Sequence, residues 1–498
     1  MAQTLTTPAG PPSGTAAERP GHRWWVLAVI AVAQLMVVLD ATIVNIALPS
    51  AQEALDFSDS GRQWIVTSYA LAFGSLLLLG GRVADLFGRK ITFLTGLVGF
   101  ALASAIGGAA PNFEVLVTAR ALQGVFGALL APAALSLLST TFTDTKERAK
   151  AFSVYGAVAG AGGAIGLLLG GLLTEHLSWR WTLYVNLFFA AIALVGGVIL
   201  LARTPRDRSI RLDVPGTVLV SLGLFGVVYG FANVESHDWA HPGTWGFLIA
   251  GTILLAAFVR WQLRAPQPLL PLRVLLDRTR GASFIAVLIS GVGMFGIFLF
   301  LTYYLQSILR YTPVETGLAF LPMIAALTVA ATLSTTGLLP RFGPRPVVPL
   351  GLAVAAGGLV WLTELGLDSS YATHVLPPLI VMGLGIGLMI AASMNLAISG
   401  VLPEDAGVAS ATVNTMQQIG GSIGTAVLSS LAAGASDDYL ATHDPRDPVN
   451  QAMAALESFS TAYWWSAGFF VVGAVICLFV YRRGVPAPAS GDAPAVHM

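Results

Sequence analysis

The 498-residue chain is short of charge: 10% of its residues are Asp, Glu, Lys or Arg, against 55% hydrophobic. Soluble domains carry roughly 25% charged residues, so the shortage excludes a water-soluble globule and puts most of the chain in lipid. Cysteine is nearly absent; the single Cys477 excludes disulfides and thiolate metal centres. Lysine occurs only at Lys90, Lys146 and Lys150, never between Gly and Ser or Thr. The phosphate-cradling loop of an ATP-driven pump is therefore missing. There is no net charge to attract nucleic acid, with 26 basic and 26 acidic residues. No apolar segment carries His or acid pairs four residues apart, and no loop is long enough for a catalytic domain, so an enzyme is not expected. The string ESHDWAH at 235–241 holds two His and two acids, but it lies in a short loop before Pro242 and is read as a loop, not a metal site.

What the chain has is apolar length. At ~20 residues per membrane crossing, fourteen spanning helices are expected, at about 24–48, 62–80, 91–109, 113–138, 149–173, 181–202, 214–233, 244–262, 281–305, 316–338, 346–366, 374–400, 406–432 and 461–481. A membrane barrel would show short alternating segments instead. The first 22 residues, rich in Pro, Thr, Gly and Ala, are expected to be a disordered tail. The first apolar segment exceeds the 7–15 residues of a signal-peptide core, so it reads as a retained helix.

Orientation follows from the basic residues. With the N-terminus in the cytoplasm, 21 of the 26 Lys and Arg residues fall in cytoplasmic loops and tails, and Arg62, Arg180, Arg310 and Arg446 fall outside. Two basic stretches, 203–213 and 264–280, divide the chain. The expected organisation is a six-helix bundle at 23–202, a linker with two extra helices at 203–280, a second six-helix bundle at 281–482 and a tail at 483–498. A partial repeat, GGRVADLFGRK after the second helix and LLPRFGPRP after its counterpart in the last six, supports paired halves of the kind transporters use.

Two charges fall deep within spanning segments, away from their ends: Asp40 in the first and Arg120 in the fourth. Each costs ~2.5–3.5 kcal/mol on insertion scales, so each is expected to face the interior with a partner. Asp40 precedes Pro49 by nine residues, and Arg120 follows Phe113 by seven on a helix running the other way. At 1.5 Å per residue both lie ~10–14 Å below the outer surface. They share a depth and can pair. Lost hydration favours a neutral acid and a guanidinium favours the charged one, so such a carboxyl is suited to loading and releasing a proton. A static pair that fixes helix packing is the alternative.

GRVADLFGRK at 81–90 resembles the loop signature of the major facilitator superfamily through Gly81, Ala84, Asp85, Gly88, Arg89 and Lys90, with Val83 and Leu86 differing. Arg120, Gln123 and Gly124 are similar to that family's fourth-helix element. The glycines Gly156, Gly160, Gly166 and Gly170 resemble its antiporter helix-packing motif, with Leu167 in place of the motif's Pro. SWRWTLYVNLFFA has Asn186-Leu187-Phe188 where relatives have N-x-P. LDATIVNIALP at 39–49 is similar to the first-helix element of the fourteen-helix drug:proton antiporters.

The resemblance implies a major facilitator fold, all helical, with a central cavity and alternating access. It implies Asp40 and Arg120 as the proton-coupling pair, and Gly81, Asp85, Gly88, Arg89 and Lys90 as a switch loop in which the acid holds the cytoplasmic side closed. Export of lipophilic, often cationic compounds in exchange for protons is the expected function, and a proton-coupled symporter importing a small metabolite is the alternative. Candidate cavity residues are Gln34, Asn45, Tyr69, Phe73, Gln123, Tyr303, Asn395, Asn414 and Gln417, with Asn45 also suited to bridging helices. No metal and no cofactor beyond the proton gradient is expected. The partners are protons, a small molecule and the bilayer, and the working unit is a monomer in the cell membrane with both termini cytoplasmic.

Overall fold

A computed structural model describes residues 20–142, 144–202, 213–237, 241–266, 268–401 and 406–484. The expectations for both tails, most of the first linker and the middle of ESHDWAH lie outside these residues. Fourteen helices among them are long and apolar enough to cross a membrane, making this a multi-pass membrane protein. They are α1 (Pro20–Leu55), α2 (Asp59–Phe87), α3 (Arg89–Gly108), α4 (Phe113–Thr141), α5 (Thr145–His176), α6 (Trp181–Leu200), α7 (Val214–His237), α8 (Pro242–Gln262), α9 (Arg278–Tyr303), α10 (Pro313–Leu333), α11 (Pro344–Leu362), α12 (Leu376–Ile398), α13 (Ala406–Thr442) and α14 (Pro448–Val480).

Several helices outrun their apolar cores. α14 starts at Pro448 rather than near 461, because Asp447 caps it, accepting from the Val449 N–H at 2.9 Å. Hydropathy marks the part of a helix in lipid; caps mark where the backbone begins to wind. Thr312 and Glu315 form a reciprocal capping box at the start of α10, and Asn112 caps α4.

The helices assemble as two six-helix bundles, α1–α6 and α9–α14. The bundles meet along two seams, α2 with α13 and α5 with α10, with α9 and α10 also touching α1. α7 lies against both α2 and α13, and α8 packs on α7. Helices on the rim expose apolar side chains suited to lipid, such as Ile249 and Ile253 of α8 and Val471 and Phe479 of α14.

Because lipid tails are as apolar as the helices, close packing has to come from small residues. A methyl on Gly124 would lie 2.9 Å from Ala72 Cβ and collide with the Tyr69 carbonyl, so α2 and α4 touch backbone to backbone. Gly80, rather than the motif's Gly81, makes the second such contact, against the Ala128 carbonyl. The paired halves appear in the turns: Gly88 (φ 95°) follows α2, and Gly343 (φ 76°) precedes α11. Both take a left-handed conformation that side chains disfavour.

The α7–α8 hairpin is tied down at the end bearing Arg89, Lys90, Arg341 and Arg345, here termed the basic end. Burial opposes charge on the Asp213 carboxyl, but hydrogen bonds from Gln262, the Gly216 N–H, Trp261 and the Leu269 N–H outweigh it and hold the group below the usual carboxylate range. The Gln262 carbonyl accepts from the Leu270 N–H at 3.0 Å, and the nearby Pro268 carbonyl accepts from Arg82 Nη2 at 2.7 Å.

Gly124→Val should therefore destabilise the protein by roughly 1–3 kcal/mol through overpacking. Gly156→Ala, where a methyl meets nothing within 4 Å, should stay within about 0.5 kcal/mol of the parent. Thermal unfolding in detergent reads both.

Candidate functional site

Asp40 is fully buried in the middle of α1, and three side-chain donors converge on it. Arg120 Nη1 donates to its Oδ2 at 2.6 Å. Gln123 Nε2 and Asn186 Nδ2 donate to its Oδ1 at 2.9 and 2.6 Å. Both amides also reach the Ser104 hydroxyl oxygen, at 2.7 and 3.3 Å. Arg120 Nη1 further donates to Gln123 Oε1 at 2.8 Å, and its Nε donates to the Ile65 carbonyl at 3.3 Å. The guanidinium lies over the Tyr69 ring, 4.5 Å from its centroid. One charged cluster thus joins α1, α2, α3, α4 and α6, and the depth match between Asp40 and Arg120 appears as a direct contact.

The placements are built from helix periodicity. Arg120 and Gln123 are three apart on α4, so both face α1. The close α2–α4 packing at Gly124 brings the Tyr69 ring beneath the guanidinium. On the side of the cluster away from the basic end, a small apolar cavity of about 10 Å³ is bounded by Val44, Leu48, Ile65, Leu116, Arg120 and Thr182, about the room one water needs.

Several residues read as cavity candidates do something else. Gln123 binds the carboxylate. Tyr69 and Phe73 stack on each other, with ring centroids 5.7 Å apart, inside the first bundle, where Phe73 also packs against Gly127. Asn45 does not bridge helices; its Nδ2 donates to the Ala41 carbonyl one turn back, at 3.2 Å. Gln34 accepts from the Tyr155 hydroxyl of α5. Tyr303 belongs to the junction between the bundles, donating to Gln52 Oε1 at 3.0 Å, with Arg62 over its ring at 4.0 Å. Asn395 is exposed, and Asn414 and Gln417 are half-buried on α13. In the switch loop, Lys90 caps the end of α6, donating to the Val198 carbonyl at 2.8 Å and to the Leu201 carbonyl. Arg89 is half-buried, and the side chain of Asp85 lies outside the described residues.

The glycine motif of α5 divides. Gly156 is exposed, with open space where a methyl would stand, and the packing of Gly160 lies outside the described residues. Gly162, Gly166 and Gly170 abut α1: a methyl on Gly166 would collide with Thr42 Oγ1, and one on Gly170 would lie 2.9 Å from Ile43 Cγ1. Next to them, α5 meets the second bundle. The Leu167 carbonyl abuts Gly317, and Gly171 abuts Pro313 and Val314 of α10. The Val314 N–H also donates to Glu175 Oε2 at 3.1 Å, and Gln306 Nε2 to the Ile46 carbonyl of α1 at 3.2 Å. The residues flanking Asp40 are thus one helix away from the seam between bundles.

Two members of the cluster, Asn186 and the Ser104 hydroxyl that accepts from both amides, are not marked by the sequence as part of it. Asn186 stands out in the sequence only for the absent Pro two residues on, and Ser104 shares its helix with Thr92 and Thr95 and has no pattern that sets it apart. No group of three or more His, Cys, Asp or Glu that could hold a metal occurs among the described residues.

Removing one member of a buried pair strands the other. Arg120→Ala should cost roughly 3–5 kcal/mol of stability. Adding Asp40→Asn should recover much of that loss, giving a non-additive double-mutant cycle in thermal unfolding.

A family model described as the Major Facilitator Superfamily matches residues 30–425. The puromycin resistance protein pur8 of Streptomyces alboniger is 48% identical over 501 residues, covering 99% of this chain and 98% of the relative. The cephamycin export protein CmcT of Amycolatopsis lactamdurans is 38% identical over 80% of this chain and 82% of its own. Among solved structures, an auto-inhibited POT family peptide transporter has a TM-score of 0.67 at 15% identity, covering 94% of this chain and 99% of that one. A bacterial homologue of the human lysosomal transporter Spinster scores 0.64 at 16% identity over 93% and 97%. Two bundles of six helices with a charged cluster in the first, together with these likenesses, lead to one conclusion: the chain belongs to the major facilitator superfamily.

Proposed function

We propose that this protein exports small lipophilic antibiotics or related compounds across the cell membrane in exchange for protons, with the basic end and both termini in the cytoplasm. The observation that carries the proton-coupled reading is a fully buried carboxylate, Asp40, held by Arg120, Gln123 and Asn186 beside the α5 contact with the second bundle. The substrate class rests on the relatives: one is named for puromycin resistance and another for cephamycin export.

The proposed cycle uses these contacts in order. With Asp40 charged, Arg120 grips α1 and α4 together. A proton arriving from the outer side neutralises the carboxyl, and the charge-assisted bond to Arg120 weakens to an ordinary one. Arg120 keeps the Ile65 carbonyl and the Tyr69 ring, so it is not left unpartnered. α1 is then free to shift against α5. The Leu39 carbonyl and Thr42, beside Asp40, press on Gly166, and the adjacent Leu167 carbonyl presses on Gly317 of α10. Movement at the acid thereby reaches the seam in two contacts. Proton release to the cytoplasm restores the grip. A proton bound with different affinity in the two arrangements shifts their populations, which is what coupling requires.

Energised vesicles test both direction and coupling, with puromycin as the first compound because of the relative's name. Inside-out vesicles with an acidified lumen should accumulate it. Asp40→Asn, inserted at normal levels, should lose at least tenfold of that uptake. Uptake confined to right-side-out vesicles would make the protein an importer, and unchanged gradient-driven export by Asp40→Asn would remove the carrier role.

A further inference from the structure

The donors around Asp40 suit its charged form, yet a carrier acid spends part of its cycle neutral. Its new O–H then needs an acceptor. Arg120 offers none. Gln123 cannot turn its carbonyl inward, because its Oε1 already accepts from Arg120 Nη1 at 2.8 Å, and reversing the amide would set N–H against N–H.

Asn186 differs. Its Nδ2 donates to Asp40 Oδ1 at 2.6 Å and to Ser104 Oγ at 3.3 Å, while its own Oδ1 is buried with no hydrogen-bond partner. A buried carbonyl without a donor is uncommon and calls for an explanation. A half-turn of this amide would exchange Nδ2 for Oδ1 beside both groups. The carbonyl could then accept the carboxyl O–H, and the Ser104 hydroxyl, which donates as well as accepts, would follow.

We propose that Asn186 is a positioning residue for the proton on Asp40, donating through Nδ2 to the charged carboxylate and accepting through Oδ1 from the neutral acid. The inference rests on the reading of Asp40 as the proton carrier. Among the described residues, the titratable or charged groups facing Asp40 are Arg120 from α4 and Tyr69 from α2. α3 and α6 present Ser104 and Asn186 there, and α5 presents its glycines. A change made at position 186 therefore acts on one carboxyl with few competitors.

The sign of the effect follows from bond strengths. Asn186→Leu removes a charge-assisted donor from the carboxylate and an ordinary acceptor from the acid, and the first is roughly twice as strong. The neutral form gains, and the titration midpoint of Asp40 should rise by about one pH unit, a tenfold gain in proton affinity. The readout is the infrared C=O stretch of a protonated carboxyl, followed against pH in purified protein and identified as the band that Asp40→Asn abolishes.

An upward shift in Asn186→Leu, with a smaller one in the same direction in Asn186→Ser, supports the proposal. Should the Leu variant fail to fold, Asn186→Ser alone must still shift by several-fold in proton affinity. An unmoved midpoint, with only thermal stability lowered, overturns the proposal and reduces Asn186 to a brace between helices, while leaving Asp40 as carrier. If no titrating band disappears in Asp40→Asn, the carrier reading fails and this one falls with it.

Discussion

A carboxylate with no exposure, in a helix that crosses lipid, has to be matched by donors or it will not stay charged. Much of the first bundle is arranged around that constraint. Arg120 supplies the opposite charge, Gln123 and Asn186 fill the remaining lone pairs, and Ser104 ties the two amides together. The backbone contacts of Gly124 and Gly80 let α4 approach α2 closely enough for the guanidinium to reach α1 while lying on Tyr69. Replacing such a cluster with apolar residues of the same volume is often neutral or stabilising in other proteins. Its presence here therefore points to use rather than to stability alone.

The cluster sits one helix from the seam between the bundles. α1 touches α5 through glycines and through the Gln34–Tyr155 hydrogen bond, and α5 touches α10 through carbonyls and glycines. Interfaces of this kind slide at low cost. Glu175 and the start of α10, Gln306 and the Ile46 carbonyl, and Tyr303 with Arg62 add polar links near the same seam. These can be remade in another register more readily than a packed apolar core.

The architecture was largely legible in the sequence because the membrane supplies an external ruler. Length in lipid counted the helices, and a common depth paired Asp40 with Arg120. The ruler says nothing about direction around a helix axis. Gln123, Tyr69 and Phe73 therefore read equally well as cavity lining or as internal packing, and all three pack internally. Asn45 reads as a helix bridge until its bond back to Ala41 is seen. Glycine spacing misleads at Gly156 for a related reason: the pattern describes one helix, while close approach needs a second, and among the described residues none stands within reach of a methyl there. Asn186 was visible as an oddity, but its partners lie 82 and 146 positions away in the chain.

The α7–α8 hairpin gives the molecule a handedness that its two similar bundles lack. α7 lies across the groove between α2 and α13, while among the described helices none crosses the groove between α5 and α10. One flank of the molecule is thus walled off by the hairpin and the other is bare. On that bare flank the seam is closed by α5 and α10 themselves, where Gly171 and Gly317 meet backbone carbonyls of the facing helix.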